Sequence, residues 1–391
     1  MRARRLVILW DYYQHYHLAR LAALETLAHH GGWQVIPMAA GQRGATVDKH
    51  EMARPDPKAA PLDLGGIEGD IHSAEVARNL LQELNRANPD AVMFPGYGFS
   101  VSRAALRWCR KHRRGAVMMF ESTENDAVRT WPKELLKRLI VRQADSVFCG
   151  GRTHAAYAAK LGIPIDRVFL KYSVVDNDYW RMHADAARIA RPSASPPRFL
   201  AAGRFIPKKN FTALVEAFGQ FKKTDTNGWR LVLVGDGPEG NHIRAAINQL
   251  NLTDSVDLPG YLTAAEIAHL MGVADIFVMP SLHGEQWGLV VNEAMATGLP
   301  VIVSQCCGCA PDLVDESATG LLFDPGNPGD LLRAMRRLAE DCALRSKFGS
   351  AGQLLIQAFS VDEFARQAMA AVAKAIDVAQ GRSRLGFPFP F

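Results

Sequence analysis

Continuous apolar runs alternate with longer stretches of helical periodicity along most of the 391 residues. In the first half the runs fall at Leu6–Trp10, Trp33–Met38, Ala91–Pro95, Ala116–Phe120, Ser146–Cys149 and Val168–Tyr172. In the second they fall at Phe199–Gly203, Leu231–Val234, Ser255–Leu258, Ile276–Pro280, Val301–Ser304 and Gly320–Phe323. Runs that are apolar at successive positions predict strands covered on both faces, and their alternation with helices predicts parallel sheets. Between the halves, Ala184–Pro197 is rich in Ala, Arg, Ser and Pro and reads as a linker. The pattern therefore predicts two doubly wound α/β domains, 1–183 and 198–370, joined by 184–197. A C-terminal helix and tail, 371–391, is expected to pack back on the first domain. Such domains are expected to face each other across a cleft, with ligands at the carboxyl ends of the strands. Gly41–Ser73, rich in Gly, Pro and charge, reads as one long loop.

Composition narrows the class. With 48% hydrophobic and 22% charged residues, the chain is too apolar to be disordered. No run reaches the ~18–20 apolar residues of a spanning helix. The apolar run after the N-terminal arginines breaks at Asp11 without a small-residue cleavage site, so no secretory leader is expected. Six irregularly spaced cysteines read as reduced thiols, which points to the cytoplasm. The net charge of +5 is uneven: residues 1–180 hold 25 Lys+Arg against 19 Asp+Glu, and 181–391 hold 20 against 21.

Two stretches carry candidate chemistry. Gly235, Gly237 and Gly240 follow one strand and precede a helix, the context of a dinucleotide-binding turn. That spacing keeps a nicotinamide-dependent oxidoreductase in view, although Pro238 is unusual in such a turn and the strand is the second of its domain. The second stretch runs from Ala274 to Ser304. A strand ends at Pro280, a polar loop follows, and a helix starts near Gly288, so Glu285 lies on the loop and Glu293 one turn into the helix. The free N–H groups of 287–290 suit an anion. Arg204 and Lys209 follow the domain's first strand, and an Arg fork with a Lys point charge suits a diphosphate on which negative charge builds.

The Gly203-Arg204 and Lys209 element, the Gly235–Pro238 turn and Leu258–Tyr261 belong to one pattern. With Glu285 through Pro300 and Thr319–Pro325, they resemble the retaining glycosyltransferases of family four, with the GT-B fold of two Rossmann-like domains. The resemblance covers about 198–375, and in the first half rests mainly on Val174–Trp180. It implies a hexosyltransferase that uses a nucleoside-diphosphate sugar as co-substrate, with no metal and no other cofactor. It assigns the donor to the second domain and the acceptor to the first. In the donor site it implies Arg204 and Lys209 on the diphosphate, Glu293 on the ribose and Glu285 beside the transferred sugar. The backbone of Trp287, Gly288 and Leu289 would contact sugar and phosphate, and that of Gly260, Tyr261 and Leu262 the base. The catalytic set is then Glu285, Arg204 and Lys209, with the departing phosphate oxygen taking the acceptor's proton. A catalytically silent nucleotide-sugar-binding module would keep the same residues. The implied setting is polysaccharide, lipid-linked oligosaccharide or glycolipid assembly, without nucleic acid.

The first domain departs from the family pattern. Where the family often has a Gly-Gly and a His, this chain has 10–17 and 120–126. His15, His17, Tyr97, Glu121, Ser122, Glu124 and Asp126 are its acceptor-side candidates. Asp176 and Asp178 resemble a metal-binding Asp-x-Asp, but their place in the interdomain element argues against metal. Cys306, Cys307 and Cys309 lack a fourth zinc ligand and predict thiol-reagent sensitivity. Arg103, Arg107, Arg110, Lys111 and Arg114 share one helix face. Trp131–Gln143 combines Lys133, Lys137, Arg138 and Arg142 with Leu135, Leu136, Leu139 and Ile140. These predict peripheral contact of the basic first domain with the cytoplasmic face of a membrane.

Overall fold

A computed structural model describes residues 3–42, 61–67 and 72–381. Most of the stretch read as a loop at Gly41–Ser73, and the tail after Gly381, lie outside the described residues.

The chain divides into two compact units. The first takes residues up to Ser122, Arg129–Tyr172, and those from Val361 onward; the second takes Thr123–Val128 and Ser173–Ser360. Elements of the first, in chain order, are β1 (Arg4–Trp10), α1 (His15–His30), β2 (Trp33–Gln42), β3 (Leu62–Ile67), α2 (Ala74–Ala87), β4 (Ala91–Pro95) and α3 (Ser100–His112). There follow β5 (Gly115–Phe120), α4 (Trp131–Val141), β6 (Ser146–Cys149), α5 (Arg152–Lys160) and β7 (Val168–Phe169). Its described strands form one parallel sheet in the order β3-β2-β1-β4-β5-β6-β7. Leu9, Phe94, Met118 and Phe120 are fully or almost fully buried under the helices, as the unbroken apolar runs require.

The second unit contains α6 (Asn177–Ala190), β8 (Arg198–Ala202), α7 (Phe211–Lys222), β9 (Arg230–Val234), α8 (Gly240–Gln249), β10 (Val256–Gly260), α9 (Ala264–Val273) and β11 (Ile276–Met279). It continues with α10 (Leu289–Ala296), β12 (Val301–Ser304), α11 (Ala310–Leu313), β13 (Gly320–Phe323), α12 (Pro328–Glu340) and α13 (Cys342–Ile356). The sheet order is β10-β9-β8-β11-β12-β13, again parallel. Phe199, Phe218, Phe221 and Trp229 make an aromatic end to its core, with the Phe199 and Trp229 rings 4.5 Å apart. The last helix, α14 (Val361–Gly381), packs on α1, β5 and β6 of the first unit, where Ser146 Oγ donates to the Ala371 carbonyl at 2.9 Å.

Three expectations are corrected. β3 occupies part of the stretch read as loop. Its Gly65-Gly66 hid the strand, yet Gly66 serves it: a Cβ on Gly41 would sit 2.1 Å from the Gly66 carbonyl oxygen, so the edge strand β3 and its neighbour β2 meet through glycine. The first unit ends at Tyr172 and not at 183, and 361–370 belong to it. Finally, 184–190 are the last two turns of α6 and no linker. Asp176 caps that helix, its carboxylate accepting from Tyr179 N at 3.1 Å. Small residues make the contact: a Cβ on Gly272 of α9 would lie 2.2 Å from the Ala184 carbonyl oxygen. Gly272→Val should therefore destabilise the second unit by about 1–3 kcal/mol, read as a lower denaturation midpoint with unchanged slope; an unchanged midpoint would refute the close α6–α9 packing.

Candidate donor site in the second unit

In each sheet the strand order reverses beside the first strand of the unit, between β8 and β11 in the second and between β1 and β4 in the first. Loops leaving the two strands at such a point diverge and open a crevice. In the second unit those loops carry Arg204 to Lys209 and Ser281 to Gly288.

An ion pair ties the two loops together. Lys209 Nζ donates to Glu285 Oε2 at 2.6 Å, and Ser281 Oγ, fully buried, donates to the same oxygen at 3.2 Å. Glu285 is 9% exposed, so its charge depends on these partners. Backbone bonds hold the rest. Leu282 N donates to the Lys208 carbonyl at 2.8 Å, and Lys208 Nζ donates to the Gly284 carbonyl at 3.0 Å. From the loop after β12, Gly308 N and Cys309 N donate to the carbonyls of Glu285 and Trp287, at 3.0 and 3.2 Å. A Cβ on Gly308 would lie 1.7 Å from the Gln286 carbonyl oxygen, so only glycine fits there.

Gly288 sits in the left-handed region, φ 102°, and turns the chain into α10. Trp287 and Asn292 fix that entry: the indole Nε1 donates to Asn292 Oδ1 at 2.8 Å, and Asn292 Nδ2 donates to the Ser173 carbonyl at 3.3 Å. Glu293, one turn into α10, is 8% exposed. Arg204 is exposed, as is Tyr261, while Leu262 is half-buried and Gly260, φ 82°, ends β10. The structure thus brings Lys209, Glu285, Trp287 and Gly288 into one bonded network. Ser281, Lys208, Asn292 and Gly308 were missed by the sequence reading; Pro280-Ser281 at the strand end and the Lys208-Lys209 pair were the available signals.

The glycine turn at 235–240 has another use. Cβ atoms on Gly235 and Gly237 would lie 2.0 and 2.6 Å from the carbonyl oxygens of Gly203 and Phe205. Phe205 N donates to the Asp236 carbonyl at 2.8 Å and Glu239 N to the Phe205 carbonyl at 2.9 Å. The glycines admit the Arg204-bearing loop, and β9 is not a strand at which the order reverses. The oxidoreductase alternative has no support here. The two aspartates read as an Asp-x-Asp are engaged locally: Asp176 caps α6 and Asp178 pairs with Arg181 at 2.8 Å. Cys306 is half-buried with Sγ 3.6 Å from His283 Nε2, while Cys307 and Cys309 are buried and burial raises both thiols.

The acceptor-side candidates divide between the units. Glu124 and Asp126 go with the second, where Asp126 Oδ2 accepts from Thr123 N at 3.0 Å. In the first, Tyr97 and Ser122 hydroxyls are 3.3 Å apart and His15 is exposed. Glu121 is exposed at the end of β5. His17 is a packing residue: it is buried, stacked on Trp10 at 4.8 Å, and its Nδ1 accepts from Gln14 N at 3.3 Å.

A family model for glycosyl transferases group 1 matches residues 185–355. The chain is 31% identical over 199 residues to 2-deoxystreptamine glucosyltransferase from Streptomyces kanamyceticus, a match covering 49% of this chain and 50% of that protein. It is 27% identical over 263 residues to a GDP-mannose-dependent alpha-(1-6)-phosphatidylinositol monomannoside mannosyltransferase from Mycobacterium tuberculosis, covering 64% and 67%. Of several curated relatives the chain spans half the length or less. Its fold matches Anabaena HepE in complex with UDP and glucose, TM-score 0.72 at 17% identity, over 95% of this chain and 99% of that one. The fold is GT-B, two Rossmann-like α/β units.

Two measurements check this geometry. Gly308→Val should cost about 1–3 kcal/mol and release the 282–288 loop, seen as faster amide exchange there; unchanged exchange would refute the clamp. Burial, reinforced by Arg20, holds the His17 pKa well below its ordinary 6.5. The unfolded chain therefore binds a proton that the folded one refuses, and stability is lost as pH falls below about 6.5. His17→Phe should flatten that slope in pH-dependent denaturation.

Proposed function

We propose that the protein is a retaining, metal-independent hexosyltransferase, moving a hexosyl unit from a nucleoside-diphosphate sugar to a hydroxyl acceptor. The observation that carries this reading is the Lys209–Glu285 pair, set at the mouth of the switch between β8 and β11 within the matched family segment. The chemistry follows from what those groups have left to give. Lys209 has three N–H donors, one engaged by Glu285, so two are available to diphosphate oxygens. Arg204 adds a fork, and the unsatisfied N–H groups at the start of α10 add partial positive charge. Together they stabilise charge as the diphosphate departs. The second oxygen of Glu285 accepts from a sugar hydroxyl, and Glu293 accepts from the ribose. The freed phosphate oxygen takes the acceptor's proton, so no protein nucleophile is needed and the sugar is transferred with retention. Placed cations supply what a divalent metal would.

On the acceptor side, the first unit's β1 and β4 loops, with Tyr97, Ser122 and Glu121, are the proposed surface. Besides the mannosyltransferase, relatives include glycosyltransferases described for colanic acid biosynthesis in Escherichia coli and for lipopolysaccharide core biosynthesis in Rhizobium meliloti. We place this chain in polysaccharide, lipid-linked oligosaccharide or glycolipid assembly on the cytoplasmic side of a membrane. No helix among the described residues is long and apolar enough to cross one.

Calorimetry with UDP, GDP and ADP should find one diphosphate that binds, and Lys209→Ala or Arg204→Ala should weaken it about ten- to hundredfold, as loss of a charge-assisted hydrogen bond does. Glu285→Gln should lower kcat for transfer of labelled sugar by a larger factor than it weakens diphosphate binding. Wild-type affinity in both cation variants would overturn the assignment. Donor binding without any transfer would favour a silent binding module.

A further inference from the structure

The outward face of α4 is apolar where a surface helix is ordinarily polar. Trp131, Leu135 and Leu136 are 78%, 51% and 50% exposed. Two of the helix's charges turn inward, while Lys133 and Arg138 stay exposed beside the apolar side chains: Lys137 Nζ donates to Glu134 Oε1 at 2.8 Å, and the Tyr157 hydroxyl donates to Glu134 Oε2 at 2.8 Å. Arg129 lies over the Tyr157 ring at 4.6 Å. At about 100° per residue, Trp131, Leu135 and the half-buried Leu139 fall on one stripe, with Arg138 at its edge and Arg142 at its C-terminal end.

A second observation lies at the end of that helix. A cavity of about 300 Å³ is lined by Arg110, Arg142 and Arg167, with Gln143, Asp145 and Gly381 among its other walls. Arg142 follows the last residue of α4, so the cavity begins where the stripe ends. Its one carboxylate is turned away: Asp145 is 1% exposed and accepts from Ala116 N at 3.0 Å. Arg110 Nη1 donates to the Gln143 carbonyl at 3.5 Å, which ties it to the cavity wall, and three arginines lining one small polar cavity match the charge and the oxygens of a phosphate group.

We propose that this surface rests on an anionic lipid bilayer, with the α4 stripe at the boundary of headgroups and acyl chains and the arginine cavity holding a lipid phosphate. A protein partner or a second copy of the chain would satisfy the stripe alone. An apolar layer immediately beside a phosphate layer is what a bilayer interface offers, and the charge excess of the chain lies in this same part of it. The inference deepens the proposed acceptor side and rests on that reading for its purpose, but vesicle binding requires no donor.

Flotation of the full chain tests it, with vesicles of phosphatidylcholine alone and of phosphatidylcholine mixed with phosphatidylglycerol, at low and high salt and without nucleotide sugar. Binding should be confined to the anionic vesicles and fall with salt. Leu135→Glu should weaken it at least about tenfold. The double change Arg142→Ala and Arg167→Ala should weaken it comparably, with circular dichroism and Tm of each variant matching the parent. Equal binding to both vesicles, binding to neither, or a dimer that Leu135→Glu dissolves without any vesicle binding would overturn the proposal. Diphosphate calorimetry on the same preparation is read separately. Loss of nucleotide binding with vesicle binding intact sinks the transferase reading and spares this one.

Discussion

The second unit's site depends on a buried ion pair that spans the point where strand order reverses. Lys209 and Glu285 leave adjacent strands, β8 and β11, on loops that the topology drives apart, and their 2.6 Å bond holds those loops at a fixed separation. Neither charge is well hydrated, so each depends on the other and on Ser281 for compensation. Such a pair contributes little net stability. What it contributes is position, since a lysine committed to one carboxylate oxygen presents its remaining donors in a limited set of directions.

Backbone contacts make that position rigid. The 282–288 loop is bonded to Lys208 on one side and to Gly308 and Cys309 on the other, and each contact requires close approach of main chains. Gly308 allows one approach; Gly235 and Gly237 allow the equivalent approach of the Arg204 loop. The two glycine-bearing turns therefore do related work. A spacing that suggested a cofactor's pyrophosphate is explained by the carbonyls of Gly203 and Phe205 occupying the space such glycines vacate.

This division also explains what could be read from the chain alone. Strands such as Val301–Ser304, buried along their whole length, announce themselves because a two-sided parallel sheet demands unbroken apolar residues. Lys209 and Glu285 were legible because charge at the ends of such strands is chemically conspicuous. β3 was not, since Gly65-Gly66 suits a loop as well as a close strand pair. Nor was the end of α6, where the buried Ala184 and Ala187 continue the helical spacing of Trp180 with side chains too small to stand out, and Ala184 meets Gly272 through its carbonyl. Ser281 and Gly308 escaped for the same reason: hydroxyl-to-carboxylate and main-chain bonds depend on fold and leave little trace in residue type.

The charge difference between the two parts of the chain then has a physical reading. The second unit holds 16 Lys+Arg against 22 Asp+Glu, so its attraction for an anion comes from placed cations within hydrogen-bond reach and not from a long-range field. The first part carries arginines around an open cavity and along a helix border, with their one local carboxylate turned inward. That arrangement acts over about a Debye length and is screened by salt. A diphosphate must be oriented to within a fraction of an ångström for its bond to break, which calls for the first kind of site. A broad anionic surface needs only to be found and held, and the second kind is sufficient for that.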